Sequence, residues 1–306
     1  MLPKSAIIGA TSPIGREFLS KHRKIYPDCV CTTRKQPDNN FHYLDLLSPD
    51  ISSFKLSHLG HRDALIFAGI TPMATCQNDF ATSKKVNLDG MSELIKQLVG
   101  EGIKPIIFSS DMVFDGTLGN YNEDSPLKPL NAYGWFKSEL EAYMREKCNG
   151  RYLIFRLGKV LNLEKNSGSI LDEMASTLVS GKVVRAAHDQ IFNLAPIQDL
   201  ISVVLTLQKK DACGVYNVCS PEVWSRYDLA LQMAESLEID KSKIQKISLD
   251  DLIEPFKRPK NTSISTKKLH QEIGFTFTSI RGCVHQVAEN WKSNLSNLKN
   301  ENGNYV

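Results

Sequence analysis

Short apolar runs alternate with amphipathic stretches through the first half of the chain. The runs contain few polar residues and are mostly rich in Val, Ile or Phe, which is typical of strands buried on both faces of a sheet. They lie at Ala6–Gly9, Cys29–Thr32, Ala64–Ala68, Ile106–Phe108 and Tyr152–Phe155. Helical patterns between them cover Ile14–His22, Ser83–Val99 and Asn131–Lys147. This alternation predicts an α/β fold with a doubly wound parallel sheet, whose ligand site lies at the carboxyl ends of the strands.

The regular alternation of apolar runs and helical patterns ends at about residue 160. Helical patterns appear at Ile170–Val179 and Arg226–Leu237, and Ser225 with Asp228 predicts a capped start for the second of these helices. A further strand is predicted at Gly214–Val218. We therefore expect a sheet domain over residues 1–160, to which the strand near 214–218 returns. A smaller α/β lobe over 161–293 and a flexible, asparagine-rich tail over 294–306 complete the predicted organisation.

Composition narrows the class of protein without naming a function. The chain has 306 residues, of which 42% are hydrophobic and 23% charged, so a sizeable core is available and wholesale disorder is excluded. A net charge of +3 requires no nucleic-acid surface. The seven cysteines include no CxxC pair, which argues against a disulfide framework and a zinc site. No apolar stretch approaches the roughly 18 residues of a membrane span. We expect a cytoplasmic protein with no metal, membrane or nucleic-acid partner.

A glycine-containing turn follows the first predicted strand and opens the first predicted helix. Backbone N–H groups at a helix N-terminus attract anions, so this position suits a pyrophosphate. Gly9 permits a tight turn and Gly15 permits close helix–strand packing, while Ser12 stands where a middle glycine is usual. The residues expected to bind a dinucleotide here are Gly9, Thr11, Ser12, Pro13, Ile14 and Gly15.

The end of the second predicted strand indicates which dinucleotide is bound. An NAD site needs a carboxylate there for the ribose 2′-hydroxyl, whereas an NADP site needs a cation for the 2′-phosphate. The sequence Thr32-Thr33-Arg34-Lys35 offers cations and no acid. Arg34 therefore predicts NADPH, unless these two cations are only surface charges.

Tyr133 and Lys137 are four residues apart within a predicted helix and therefore share one face. An ammonium one turn from a phenol is expected to lower the phenol pKa towards the working range of an acid–base catalyst. Ser109 and Ser110 end the strand before this helix, where a hydroxyl can hold a substrate carbonyl. Asn87 lies in the preceding helical pattern. The candidate catalytic residues are thus Ser110, Tyr133, Lys137 and Asn87.

The order of glycine turn, Asn, Ser and Tyr-x-x-x-Lys resembles the extended short-chain dehydrogenase/reductases. Residues 108–116 read FSSDMVFDG and look like the STDYVFDG stretch of dTDP-4-dehydrorhamnose reductases, and 122–141 read NEDSPLKPLNAYGWFKSELE, similar to their next block. Shorter similarities are Arg156-Leu157-Gly158, Asp189-Gln190, Pro196 with Asp199-Leu200, Gly214–Val218 and Arg258-Pro259. The resemblance spans roughly residues 5–290 and implies a Rossmann-like NADP-binding domain with a substrate-binding lobe.

The resemblance also implies a role for each matching residue. Tyr133 would protonate the C4 oxygen as hydride arrives from NADPH, Lys137 would bind the nicotinamide ribose, and Ser110 would orient the carbonyl. Asn87 would support its helix and the cofactor side. Further cofactor contacts would come from Asp45, Leu46, Ala68 and Gly69, and substrate contacts from Ser110, Asp111, Met112 and Arg258.

Two departures from the family pattern concern the site. Ser12 replaces the middle glycine, and Met112 replaces the tyrosine that usually follows the Asp, which suggests an altered substrate pocket. Residues 110–112 also lack the Asp-Glu pair of nucleotide-sugar 4,6-dehydratases, so dehydration is set aside.

The leading hypothesis is an NADPH-dependent reductase of a 4-keto-6-deoxy nucleotide sugar, serving cell-surface polysaccharide synthesis. One alternative is another reductase or epimerase of the extended family. A second is a non-catalytic NADP-binding regulatory subunit like methionine adenosyltransferase β, which resembles the same reductases. Apolar faces at Ser83–Val99 and Asn131–Lys147 are compatible with a homodimer or with core packing alone.

Overall fold

The structure is a computed structural model that describes residues 1–35 and 40–301, with side chains as far as residue 292. Residues 302–306 of the predicted tail therefore lie outside the described residues, and 294–301 are described in their backbone alone. The strands are β1 (Ser5–Ile8), β2 (Thr32–Thr33), β3 (His42–Tyr43), β4 (Asp63–Ile66), β5 (Lys104–Ser110), β6 (Leu153–Leu157), β7 (Lys159–Leu161), β8 (Val184–Ala187), β9 (Ile191–Pro196), β10 (Gly214–Val218), β11 (Val223–Ser225) and β12 (Ile244–Ile247).

Ten α-helices lie within the described ranges. They are α1 (Pro13–His22), α2 (Met73–Asn78), α3 (Phe80–Lys84), α4 (Met91–Gly100), α5 (Ala132–Lys147), α6 (Ile170–Val179), α7 (Ile197–Lys209), α8 (Arg226–Ser236), α9 (Lys267–Ile273) and α10 (Ile280–Glu301). A π-helical turn, Lys85–Gly90, joins α3 to α4, so the single helix predicted over Ser83–Val99 is interrupted. None of the described helices is long and apolar enough to cross a membrane.

The central sheet is parallel and runs in the order β1-β4-β5-β6-β10. The β2-β3 pair continues it on the far side of β1 through a parallel bridge between Ile7 and Cys31. The second strand was predicted at Cys29–Thr32. The observed β2 is shorter and begins later in the chain, at Thr32, because Cys31 forms an isolated bridge and is not part of a strand. The fold class is confirmed: this is a doubly wound parallel sheet.

Adjacent residues of one strand supply the two cores of the sheet. Side chains alternate between faces along a strand, so Ile8 packs with Ile66 and Leu94 on one face and Ile7 packs with Leu200 on the other. Helices cover both faces, which explains why these strands read as unbroken apolar runs. The apolar segment at 200–207 forms part of α7.

A third core builds the smaller lobe. Helices α6, α8 and α10 contribute Leu171, Met174, Leu229, Met233 and Val284 to it. These helices pack beside a three-stranded sheet of order β11-β9-β7 and a two-stranded pair β12-β8. Since β7 begins two residues after β6 ends, the lobe is joined directly to the carboxyl edge of the central sheet.

One fully buried ion pair fastens α5 to the central sheet. Arg156 of β6 donates from Nη2 to Glu141 Oε2 at 2.7 Å, and both side chains are 0% exposed. Ser109 of β5 donates to Glu141 Oε1 at 2.6 Å, and Arg156 also donates to the Glu123 carbonyl at 3.0 Å. The same carboxylate therefore binds side chains of two neighbouring strands.

We expect Arg156→Met to lower the free energy of unfolding by about 3–5 kcal/mol, because the change leaves the Glu141 carboxylate buried without its partner. Arg145→Met is the matched control. Arg145 also binds Glu141 Oε2, at 3.3 Å, but is 45% exposed, so its loss should cost about 1 kcal/mol or less. Urea unfolding at pH 7 measures both variants, and equal losses would contradict the special weight of the buried arginine.

Candidate active site

The turn after β1 has the backbone geometry that its glycines predict. Gly9 has φ +77°, and a Cβ there would lie 2.7 Å from the Ala68 backbone nitrogen. The Gly9 N–H donates to Thr32 Oγ1 at 3.1 Å, which ties the turn to β2. A Cβ on Gly15 would lie 2.7 Å from both the Gly9 carbonyl oxygen and Ser12 Oγ. Both positions therefore require glycine.

Ser12, the departure from the usual middle glycine, caps α1. Its Oγ accepts a hydrogen bond from the Gly15 N–H at 3.1 Å, and Pro13 occupies the first helical position. A serine cap and a proline at this position both favour helix initiation. The substitution thus strengthens the start of α1 while leaving the Gly9 turn intact.

A cavity of about 520 Å³ opens at the carboxyl edge of β1, β2 and β4. It is lined by most of the residues predicted to bind the cofactor: Gly9, Thr11, Ser12, Arg34, Asp45, Leu46, Ala68 and Gly69. The other predicted contacts, namely Pro13, Ile14, Gly15, Tyr133 and Lys137, are not part of this lining. The first three shape the turn and the start of α1, and the last two belong to α5.

Asn87 holds the rim of this cavity. Its Nδ2 donates to the Ile70 carbonyl at 2.8 Å, and its Oδ1 accepts from the Ile70 N–H at 2.8 Å. The side chain thereby satisfies both backbone groups of a loop residue that lines the cavity. Asn87 lies on the π-helical turn, a distortion often found at functional sites.

The N-terminus of α5 packs against the turn that follows β5. Asn131 caps the helix by accepting the Gly134 N–H at 2.9 Å. A Cβ on Gly134 would collide with the Met112 carbonyl, so glycine is needed for this approach. Because Met112 is two residues after Ser110, the close packing brings Tyr133 beside the carboxyl end of β5. The Tyr133 phenol and the Ser110 hydroxyl are neighbours there.

Lys137 lies one turn further along α5. Its Nζ donates to the Phe108 carbonyl at 2.8 Å and lies 5.7 Å from the centroid of the Tyr133 ring. Burial lowers the pKa of Lys137 to about 8. The sequence-predicted group of Ser110, Tyr133 and Lys137 is therefore assembled at one edge of the sheet.

The pKa of Tyr133 departs from the sequence-based expectation. Burial raises it, the nearby Asp111 carboxylate and Cys76 raise it further, and the neighbouring Ser110 hydroxyl acts in the opposite direction. The predicted lowering is therefore wrong for the protein without a cofactor. The phenol is protonated at neutral pH with or without this shift, and the higher pKa makes it a weaker proton donor unless a nearby positive charge offsets the effect of burial.

The predicted substrate contacts are arranged around Asp111. The carboxylate is buried and accepts hydrogen bonds from Ser110 Oγ at 2.9 Å and Thr262 Oγ1 at 2.6 Å. Burial raises its pKa. The Met112 N–H donates to Ser110 Oγ at 3.2 Å. Arg258 is held by an ion pair with Glu254, in which Nη2 donates to Oε1 at 2.6 Å.

Several site residues escaped the sequence-based prediction. Thr32 and Thr33 line the cavity, and Thr262 reaches Asp111 across 151 residues of chain. The threonine pair at the end of the second strand was a usable signal, because hydroxyls there face the glycine turn. Nothing local in the Ser/Thr-rich segment around Thr262 marks it as part of a site.

Comparison with known proteins decides the family. The family model described as "RmlD substrate binding domain" matches residues 6–293. The chain belongs to this family. Its members of known structure share its fold: a dTDP-4-dehydrorhamnose reductase from Yersinia enterocolitica superposes with a TM-score of 0.82 at 20% identity, covering 94% of this chain and 99% of the other. The predicted resemblance to these reductases is thereby confirmed.

The other relatives are named either as dTDP-sugar reductases or as a methionine adenosyltransferase subunit. A dTDP-4-dehydrorhamnose reductase from Bacillus anthracis, solved in complex with NADP, has a TM-score of 0.80 at 18% identity and covers 94% of this chain and 99% of that one. A methionine adenosyltransferase 2 subunit beta from Xenopus tropicalis is 27% identical over 88% of this chain and 82% of its own length. A dTDP-4-keto-6-deoxy-D-glucose reductase from Streptomyces niveus is 24% identical, over 86% and 88%.

Because the pKa of Lys137 is lowered in the folded protein, we expect the free energy of unfolding to depend on pH. The folded pKa is about 8 and the unfolded value 10.5, so between these values the unfolded chain binds more protons. The free energy of unfolding of the wild type, relative to Lys137→Met, should therefore rise by up to about 3 kcal/mol as pH increases from 8 towards 10.5.

Urea unfolding of the cofactor-free protein between pH 7 and 10 measures this difference. Lys147→Met, at the exposed end of α5, is the control and should show no such rise relative to the wild type. A constant difference between the wild type and Lys137→Met across this range would contradict the lowered pKa.

Proposed function

We propose that this RmlD-family protein is a cytoplasmic NADPH-dependent reductase of a 4-keto-6-deoxy nucleotide sugar, serving cell-surface polysaccharide synthesis. The observation that carries the proposal is the meeting of Ser110, Tyr133 and Lys137 beside a cavity built from the glycine turn. The names of the Streptomyces and Yersinia relatives support the reaction class. Residues 1–160 with β10 would bind the cofactor, and 161–293 would bind most of the sugar nucleotide.

The cavity has the features that a phosphorylated dinucleotide requires. Gly9 leaves no room for a side chain where the backbone must approach a pyrophosphate, and the N-terminus of α1, whose dipole favours an anion, begins in the same turn. Arg34 lines the same cavity and offers a cation for a 2′-phosphate. Asp45 also lines it, with its Oδ1 accepting the Leu47 N–H at 3.0 Å. Bound NADPH would supply the hydride for C4 of the sugar.

The chain's own groups would handle the carbonyl oxygen and its proton. On substrate binding, the Ser110 hydroxyl would turn its one proton from Asp111 to the carbonyl oxygen and so orient the carbonyl. Tyr133 transfers its phenolic proton to this oxygen as the negative charge develops there. The Lys137 ammonium stabilises the tyrosinate that remains, and solvent returns the proton to it. The product is the C4 alcohol, with one hydride added to carbon and one proton to oxygen.

Tyr133→Phe should lower kcat by about a hundredfold or more, because general acid catalysis typically contributes 10²–10⁴-fold. The readout is NADPH absorbance during reduction of a dTDP-4-keto-6-deoxy sugar. The Kd for NADPH should stay within about twofold of the wild type, since the ring and its packing remain. Tyr143→Phe, which alters another tyrosine of α5, is the matched control. Unchanged turnover in Tyr133→Phe would rule out the phenol as the acid.

Arg34→Ala should weaken NADPH binding about tenfold and leave NADH binding unchanged, because a hydrogen bond to a charged group is worth about 1.5–3 kcal/mol. Fluorescence titration of both reduced cofactors gives the two Kd values. The adjacent exposed Lys35 supplies the control, Lys35→Ala. Equal losses for NADPH and NADH would refute the phosphate-binding role of Arg34.

The second candidate function is that of a regulatory subunit. The Xenopus methionine adenosyltransferase subunit favours it, since its match covers 88% of this chain. Firm NADPH binding without oxidation by any 4-keto nucleotide sugar, together with co-purification with a methionine adenosyltransferase catalytic subunit, would select this function. Turnover with a different nucleotide sugar would instead select another reductase or epimerase of the extended family.

A further inference from the structure

A second group of charged residues lies at the same edge of the sheet as the proposed catalytic residues. Ser110 of β5 is paired with Leu157 of β6, and Lys159 follows Leu157 by two residues at the start of β7. Lys159 is opposite Leu194 in the β7-β9 pair, and its Nζ lies 5.7 Å from the centroid of the Phe192 ring. Its side chain therefore emerges where the central sheet meets the smaller lobe.

Arg226 approaches the same place from β11, the edge strand opposite β7 in the three-stranded sheet. Phe192 is opposite Trp224 in the β9-β11 pair, and Arg226 follows Trp224 by two residues as the first residue of α8. Its backbone N–H donates to the Gln190 carbonyl at 3.0 Å. Lys159 and Arg226 are thus separated by one strand and lie close enough to repel each other electrostatically.

Neither cation forms an ion pair with a side chain that the structure describes. Among the described side chains, no hydrogen bond or ion pair reaches Lys159 Nζ or the Arg226 guanidinium. Burial lowers the pKa of Lys159, and repulsion by Arg226 lowers it further. Burial and repulsion by Arg258 likewise lower the pKa of Arg226. The acids that face the pair are Glu173, which is exposed on α6, Asp111, whose carboxylate is already hydrogen bonded, and Glu254, which is bound to Arg258.

Arg258, the cation that the family resemblance implies as a substrate contact, is ion-paired, unlike Lys159 and Arg226. Both its Nε and its Nη2 donate to the Glu254 carboxylate, so its charge is balanced within the chain. An incoming anion would have to displace Glu254 to bind Arg258. Lys159 and Arg226 require no such displacement.

A buried amide beside Arg226 also lacks a partner. Gln190 is 6% exposed, and its Oε1 accepts no hydrogen bond from any described residue. A buried amide oxygen without a donor costs free energy that a ligand hydroxyl would recover. The same residue gives its backbone carbonyl to the Arg226 N–H, so the two unsatisfied groups belong to neighbouring residues in space.

We propose that Lys159 and Arg226 form an anion-binding subsite for the substrate, which holds a phosphate or carboxylate group at the same edge of the sheet as the carbonyl at Ser110. Gln190 Oε1 would accept a hydroxyl of the same ligand. This inference rests on the proposed function for the position of the carbonyl, but anion binding itself does not require turnover. The substrate class is therefore a keto sugar with an anionic substituent, either the diphosphate of a nucleotide sugar or a sugar carboxylate.

Isothermal titration of the NADP-loaded protein with inorganic pyrophosphate and with glucuronate tests the subsite. Lys159→Met and Arg226→Gln should each weaken binding of the preferred probe by about tenfold, since each removes a charge-assisted contact. The Kd for NADP should not change. Lys246→Met is the matched control, because Lys246 lies in the same lobe with its Nζ 5.4 Å from the Tyr227 ring centroid.

The two probes separate the two sources of the anion. Tighter pyrophosphate binding that depends on both cations assigns the subsite to a diphosphate, and tighter glucuronate binding with the same dependence assigns it to a sugar carboxylate. Binding that is equal in the wild type and both variants, or that is lost in Arg258→Gln instead, overturns the proposal. If probe binding depends on both cations but the wild-type protein reduces no keto sugar with NADPH, the proposed reaction is refuted and the subsite still stands.

Discussion

The buried ion pair between Glu141 and Arg156 determines where the proposed chemistry can take place. One carboxylate binds the arginine of β6 and the Ser109 hydroxyl of β5, so α5 is fixed to both strands at once. Tyr133 and Lys137 lie two turns and one turn before Glu141 on the same helix. Their position relative to Ser110 therefore depends on a contact that is shielded from solvent and intolerant of losing either charge.

Close contacts of the backbone, in addition to the ion pair, fix the geometry of the proposed site. Gly134 lets the start of α5 touch the Met112 carbonyl, Gly9 lets the first turn touch Ala68, and Asn87 satisfies both backbone groups of Ile70. Each of these contacts fixes the position of backbone atoms, and backbone atoms cannot move by a change of side-chain rotamer. The cavity and the Ser110–Tyr133 pair are consequently held by the sheet and its helices more than by loop side chains.

The fold and most of the proposed site could be predicted from sequence because their signals are local. Strands buried on both faces read as apolar runs, the turn at Gly9 follows the first of them, and Tyr133 and Lys137 share a helix face by spacing alone. The remainder depends on tertiary contacts. The Lys159–Arg226 pair arises from strand register in the small sheet, and Thr262 reaches Asp111 from a distant segment. The raised pKa of Tyr133 reflects burial, which spacing does not reveal.

The central claim is that the protein passes a hydride to a sugar carbonyl while the chain supplies the proton. Incubation of the protein with a dTDP-4-keto-6-deoxy sugar and NADPH carrying deuterium at C4 of the nicotinamide tests this claim most directly. We expect a product with deuterium at C4 of the sugar, seen by NMR, and a protonated C4 oxygen. A protein that binds the labelled cofactor but leaves the sugar free of deuterium, with either hydrogen of the nicotinamide labelled, would contradict it.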